Sequence, residues 1–237
     1  GTGAQYKSLY LSFNKPAIFQ GGEKPDVAEI SFNTLCNYDR ALGKKYIRVV
    51  SCNTTALLRL IGCLMKELRI KKIFATIVRR GADPKEIKKG PINAIVLDPP
   101  NIPSHHALDV KEVLPGINIV TVALAVPTTL MHTHVVRIEF EEKANRNEII
   151  RLFEKAPRIL LVNANSYGIR STAELIEWSR DLGRHRYDIP ELIIWEDTIR
   201  VDNNELILVQ SIHQESIVIP ENIDAVRASL KLTSNAE

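Results

Sequence analysis

The sequence of 237 residues is short of cysteine, tryptophan and methionine, with three, two and two of each, and aromatics make up 6%. Three cysteines, Cys36, Cys52 and Cys63, with no Cys-x-x-Cys pair among them, exclude a disulfide framework. They read as thiols of a reducing cytosol, one or two of them buried, and a Cys36–Cys63 bridge stays open for a hyperthermophilic source. Long apolar runs are also missing. The longest, Ile117 to Pro127, contains Asn118 and Thr121 and is too short to cross a bilayer, and no signal peptide opens the chain. Neither sign of charge dominates. With 31 Lys+Arg against 28 Asp+Glu, a net charge of +3 argues against nucleic acid and acidic membranes as partners. What is present is ordinary: 45% hydrophobic and 25% charged residues exclude a disordered, collagen-like or low-complexity chain. The expectation is a soluble cytoplasmic protein of one large domain or two small ones.

Periodicity supplies the elements. Ala4 to Phe13 reads as a short amphipathic helix, Ala17 to Phe19 as a strand entering Gly21-Gly22, and Tyr46 to Val50 as a second strand. Ser51-Cys-Asn-Thr-Thr55 then caps a helix carrying Leu57, Leu58, Ile61, Leu64, Met65 and Leu68. Lys72 to Arg79 is a strand, and Gly81 to Pro115 reads as a long irregular stretch. Loops of that length are usually functional or cross a subunit contact. Strands Ile117 to Val126 and His132 to Glu141 follow. Next come a helix starting at Asn147, a strand Arg158 to Val162 and a helix Ser171 to Leu182, whose Ser171 and Glu174 form a capping box. Strands Glu191 to Trp195, Ile199 to Val201 and Leu206 to His213 precede a helix Pro220 to Leu230. The pattern predicts an α+β fold, a largely antiparallel sheet with helices on one face.

Three features carry chemistry. Cys52 lies at a strand-to-helix junction, where the positive end of a helix lowers a thiol's pKa and Asn53, Thr54 and Thr55 can hold an oxyanion or phosphate. A buried cysteine beside a capping serine fits the same pattern, and Cys63, within an apolar helix, fits it better. His132 and His134 share one strand face with Val136, Ile138 and Phe140. They read as a base near a thiol, as metal ligands with His105 and His106, or as packing; no spacing favours metal. Arg79 and Arg80, with Lys88, Lys89, Ser104, His105 and His106, suit an anionic substrate or a solvated basic surface.

At these residues the chain resembles archaeal-type glyceraldehyde-3-phosphate dehydrogenases. The motifs are Val49-Val-Ser-Cys-Asn-Thr-Thr55, Phe19-Gln-Gly-Gly-Glu-Lys24, Ile77-Val-Arg-Arg80, Lys89-Gly-Pro-Ile-Asn93, Pro103-Ser-His-His106 and Pro127-Thr-Thr-Leu-Met-His-Thr-His134. His213-Gln-Glu-Ser216 and Pro220-Glu-Asn-Ile-Asp-Ala-Val-Arg227 complete the set. The resemblance implies Cys52 as nucleophile and His132 as the histidine that activates it and accepts the proton, with His134 its neighbour. It implies Arg79 and Arg80 at the substrate and inorganic phosphates, with Thr54, Ser104, His105, His106 and His134 as further phosphate ligands. Gln214 and Asn222 are implied near the nicotinamide. The implied reaction oxidises glyceraldehyde 3-phosphate through a Cys52 thioester, with hydride passing to NAD or NADP and inorganic phosphate releasing the acyl phosphate. It belongs to glycolysis and gluconeogenesis, and no metal is called for. A homotetramer assembled through the sheet is implied as well.

Compared with the family, residues 1–50 read as a remnant of the Rossmann domain and 51–237 as the catalytic and oligomerisation domain. Most of the nucleotide-binding half is missing from the chain. The chain also reads as ending before the family's last helix, which packs back on that half. Alternatives are a catalytically inactive oligomerisation fragment and a related semialdehyde dehydrogenase.

Overall fold

The computed structural model describes residues 2–234. They begin with α1 (Lys7–Ser12), β1 (Ala17–Gln20), β2 (Ile30–Phe32), α2 (Thr34–Ala41) and β3 (Tyr46–Val49). The three strands make a small parallel sheet of order β1-β3-β2. Then follow α3 (Cys52–Leu64), β4 (Ile70–Arg80), β5 (Val96–Leu97), α4 (His105–Val113), β6 (Ile119–Val126), β7 (His132–Phe140) and α5 (Arg146–Lys155). The chain continues through β8 (Ile159–Val162), α6 (Ala164–Tyr167), α7 (Thr172–Asp181), β9 (Leu192–Trp195), β10 (Arg200–Asp202), β11 (Glu205–Ile212) and α8 (Ile219–Ser229). Their strands form one eight-stranded sheet of order β5-β6-β4-β7-β11-β9-β8, with β10 paired to β11.

That sheet is largely antiparallel, as expected, with parallel pairs at β4–β6 and β8–β9. Alternation builds its inner face: Ile73, Ala75 and Ile77 on β4, Val136, Ile138 and Phe140 on β7, and Leu206 and Leu208 on β11 are all buried. α3 lies on this face with Ala56, Leu57, Leu60, Ile61 and Leu64 in the same core, flanked by Val110 of α4 and Ile149 and Phe153 of α5.

Four differences from the sequence reading have physical causes. Helices do not cover one face alone. At the β8–β9 end, Ile193 and Trp195 pack on Leu175 of α7, while Ile194 and Leu192 face α3's core. All four residues of β9 are buried, a strand sandwiched on both sides. The stretch from Gly81 to Pro115 contains α4, which starts after an extended Ser104 and carries Ala107, Val110 and Val113 inward. β2 and α2 were not anticipated; Asn33 caps α2 by accepting from the Leu35 N–H at 3.2 Å. Finally, α8 packs back on the small sheet, its Ala225 and Ala228 in one core with Phe32, Tyr38, Ile47 and Val49. A helix in the role thought to be missing is therefore within the chain.

Among the described residues no helix is long and apolar enough to cross a membrane, and no cluster of three or more His, Cys, Asp or Glu is placed to hold a metal.

Candidate active site

β3 delivers the chain to Ser51, whose extended backbone and hydroxyl, accepting from the Thr54 N–H at 3.4 Å, start α3. Cys52 is the first residue of that helix and keeps partial exposure, whereas eleven of the next twelve residues, Asn53 to Ile61 and then Cys63 and Leu64, are buried. Burial pushes the Cys52 thiol up; the backbone amide of Asn53 and the Arg79 and Arg80 guanidiniums pull it back. The expected net lowering by the helix terminus is thus outweighed by desolvation. The other thiols are less favoured as nucleophiles. Cys36 donates to the Leu58 carbonyl and is pushed up to about 12. Cys63 donates to the Leu152 carbonyl and is pushed up to about 11. All three are free in this structure, so the Cys36–Cys63 bridge is not formed.

β7 lies between β4 and β11, and its register sets His134 opposite Ile77 on one side and Gln210 on the other. His134 and His132 both point inward and are 0% and 4% exposed. The His134 ring is hydrogen-bonded to Asn53, next to Cys52 (Nε2 to Oδ1, 2.9 Å). His132 lies two residues along the same face, about 7 Å nearer the strand's start. Its Nδ1 accepts the backbone N–H of Arg80 at 3.0 Å. A neutral imidazole has one donor and one acceptor nitrogen, so the proton of His132 sits on Nε2. Burial, then His134, Arg79 and Arg80, holds its pKa well below the usual histidine range. His132 therefore offers the site a neutral N–H donor. The lone pair that proton acceptance from the thiol would require is already used by Arg80.

Arg79 and Arg80 end β4, opposite Ala125 and Val126 of β6. Arg79 pairs with Asp98, and its buried Nε has no partner among the described residues. Arg80, 11% exposed at its side chain, reaches Asp83 and Glu215. His105 is exposed on the first turn of α4, its ring 3.9 Å from that of His106.

The remaining expected phosphate ligands are turned inward. Thr54 is fully buried with its hydroxyl 3.0 Å from Ser51 Oγ. Ser104, His106 and His134 are buried and bonded within the protein, so they back the site rather than line an open phosphate pocket. Gln214 turns its carbonyl onto Arg80 Nε at 3.2 Å, and Asn222 donates to the Val218 carbonyl of its own helix at 2.8 Å. One group of each amide is thus engaged within the protein, and the Gly21-Gly22 turn after β1 lacks the Gly-x-Gly-x-x-Gly pattern of a dinucleotide-binding turn. The described residues do not build a dinucleotide cradle.

Sequence reasoning overlooked Gln210 and Thr121. The signal was present in Gln210: it interrupts the inward stripe Leu206, Leu208, Ile212 with a buried amide.

A partly exposed thiol thus opens a buried helix within electrostatic reach of two strand-end arginines, and the chain's relatives are dehydrogenases. Residues 51–184 match the family described as Glyceraldehyde 3-phosphate dehydrogenase, C-terminal domain. Curated relatives named glyceraldehyde-3-phosphate dehydrogenase include those of Sulfurisphaera tokodaii and Hyperthermus butylicus. Each is 59% identical over 237 residues, all of this chain and 69% of the relative. That of Saccharolobus islandicus is 55% identical over 234 residues, 99% of this chain and 68% of the relative. The chain belongs to the glyceraldehyde-3-phosphate dehydrogenase family.

Proposed function

We propose that this chain performs the acyl-transfer chemistry of the phosphorylating oxidation of glyceraldehyde 3-phosphate to 1,3-bisphosphoglycerate, with Cys52 as nucleophile. The observation that carries the reading is the placement of Cys52 at the start of α3, with both arginines close enough to favour its anion. The Cys52 thiolate adds to the aldehyde carbon, and the carbonyl π pair moves onto oxygen. The Nε2–H of His132 holds that oxyanion, a preorganised donor where charge develops. Oxidation of the adduct leaves a thioester on sulfur, which inorganic phosphate cleaves. NAD or NADP supplies the hydride acceptor when bound.

Arg79 and Arg80 take the phosphates, exchanging the carboxylates of Asp98, Asp83 and Glu215 for phosphate oxygens. His105 stands at the same rim, with His106 stacked behind it. The chain assembles as a homotetramer through the outer sheet face, where Phe74, Val135 and Ile207 are exposed. Its free thiols suit a reducing cytoplasm.

The acyl step runs in reverse without a nucleotide. Incubation with 1,3-bisphosphoglycerate is expected to add one phosphoglyceroyl group, mapped to Cys52 and absent in Cys52→Ser. A protein left unmodified, or acylated equally in Cys52→Ser, contradicts the reading.

A further inference from the structure

Behind Cys52, and outside the roles above, runs a chain of buried polar side chains drawn from five elements. Gln210 Nε2 on β11 donates to His134 Nδ1 at 3.0 Å. That bond puts the proton of His134 on Nε2, which donates to Asn53 Oδ1 at 2.9 Å. Asn53 Nδ2 lies 3.5 Å from His106 Nε2, leaving the His106 proton on Nδ1, 3.0 Å from Ser104 Oγ. Ser104 passes its hydroxyl to Thr121 Oγ1 at 2.7 Å, and Thr121 closes the series on the Ser104 carbonyl at 3.3 Å. From Gln210 to Ser104 every bond runs in one direction, and reversing any one alone would set donor against donor or acceptor against acceptor. Both imidazoles stay neutral: burial holds His134 down to about 3, and burial with neighbouring cations holds His106 down to about 2. No proton needs to move along the series for it to act. It fixes orientation.

The group fixed at its centre is Asn53, 2% exposed. A carboxamide gripped at both ends cannot rotate, and the peptide bearing it is the one between Cys52 and Asn53. We propose that His134 and His106 are positioning residues: by clamping the Asn53 carboxamide they hold the first turn of α3 in place around its neighbour Cys52, and so set how readily that thiol ionises. The inference rests on Cys52 being the nucleophile. The other charged groups that act on the sulfur are Arg79 and Arg80 on β4, neither of which is hydrogen-bonded to the Asn53 side chain.

The pH profile of Cys52 alkylation by iodoacetamide, read by mass spectrometry on the intact chain, tests this. His134→Leu removes the donor to Asn53, and His134→Gln keeps an amide donor near the Nε2 position. The midpoint is expected to rise by about one pH unit in His134→Leu, slowing alkylation near neutrality about tenfold, as when a hydrogen bond to a charged group is loosened. His134→Gln should restore most of it. A merely structural role would lower the melting temperature of both variants and leave the midpoint in place.

His106→Leu against His106→Gln repeats the comparison from the other end of the amide. Gln210→Leu keeps the volume and removes an amide whose Oε1 has no partner, so it tests the series in a folded protein. A wild-type midpoint in Gln210→Leu and in every folded leucine variant overturns the proposal. If wild-type Cys52 itself reacts no faster than Cys36 and Cys63, the assignment of the nucleophile fails instead, and the two failures are distinguished.

Discussion

The backbone N–H of Arg80 donates to Nδ1 of His132 at 3.0 Å, and that bond settles which nitrogen of the imidazole faces the site. A strand-end peptide on β4 thereby converts a histidine expected to act as a base into a neutral N–H donor. The same residue that fixes the tautomer brings its guanidinium near the thiol.

His132 should therefore leave no inflection in the histidine range. Acylation of Cys52 by 1,3-bisphosphoglycerate, followed from pH 5 to 9, is expected to rise along a single limb belonging to the thiol. His132→Ala should lower the rate by about 10²–10⁴-fold, the usual span for a lost transition-state donor or acid, without moving the limb's origin to another histidine. A second inflection between pH 6 and 8 that disappears in His132→Ala would restore the base role.

Arg79→Ala is expected to raise the KM for inorganic phosphate in thioester cleavage by about tenfold or more, the worth of one charge-assisted hydrogen bond. It should also move the alkylation midpoint of Cys52 upward, because Arg79 favours the thiolate. An unchanged KM would place the phosphate elsewhere.

Acid should destabilise the fold through its buried histidines. The folded pKa values of His134 and His106, about 3 and about 2, lie below the unfolded value near 6.5. Their contribution to stability is complete above about pH 6.5. It falls as pH drops through the window down to these values, because the unfolded chain takes up protons the folded chain refuses. Each histidine contributes up to about 1.4 kcal/mol per pH unit within that window. Urea unfolding at pH 7, 6 and 5 is expected to show this slope, and it should be shallower in His106→Gln.

Arg59 holds α3 to α8. Its guanidinium, fully buried, pairs with Glu221 at 2.9 Å and donates to the Ile217 carbonyl at 2.7 Å. Glu221→Gln leaves a buried cation without its counter-charge and is expected to cost about 3–5 kcal/mol of stability. Thermal unfolding measures it, and a change below about 1 kcal/mol would show that the carbonyl contacts suffice.

How far the sequence discloses all this depends on the residue. Alternation on β4, β7 and β11 gave the sheet, and the Ser51 cap fixed the start of α3 to the residue. The region from Gly81 to Pro115 hid α4 because five prolines from Pro84 to Pro103 dominate the part before it, although Ser104 and the apolar spacing beyond it signal a helix. The likeness of Cys52 to a catalytic thiol was readable from motif and cap. The separation of His105, exposed, from His106, buried, was not, since adjacent residues on a helix diverge by about 100° and only the packing of α4 says which turns inward. Nor was the tautomer of His132. It depends on a strand partner 52 residues away, set by register.

Competitive alkylation of the native chain near neutral pH, resolved by peptide mass spectrometry, tests most directly whether the thiol opening α3 is the reactive group. The account predicts that Cys52 is modified far ahead of Cys36 and Cys63. Equal rates at the three cysteines would contradict it.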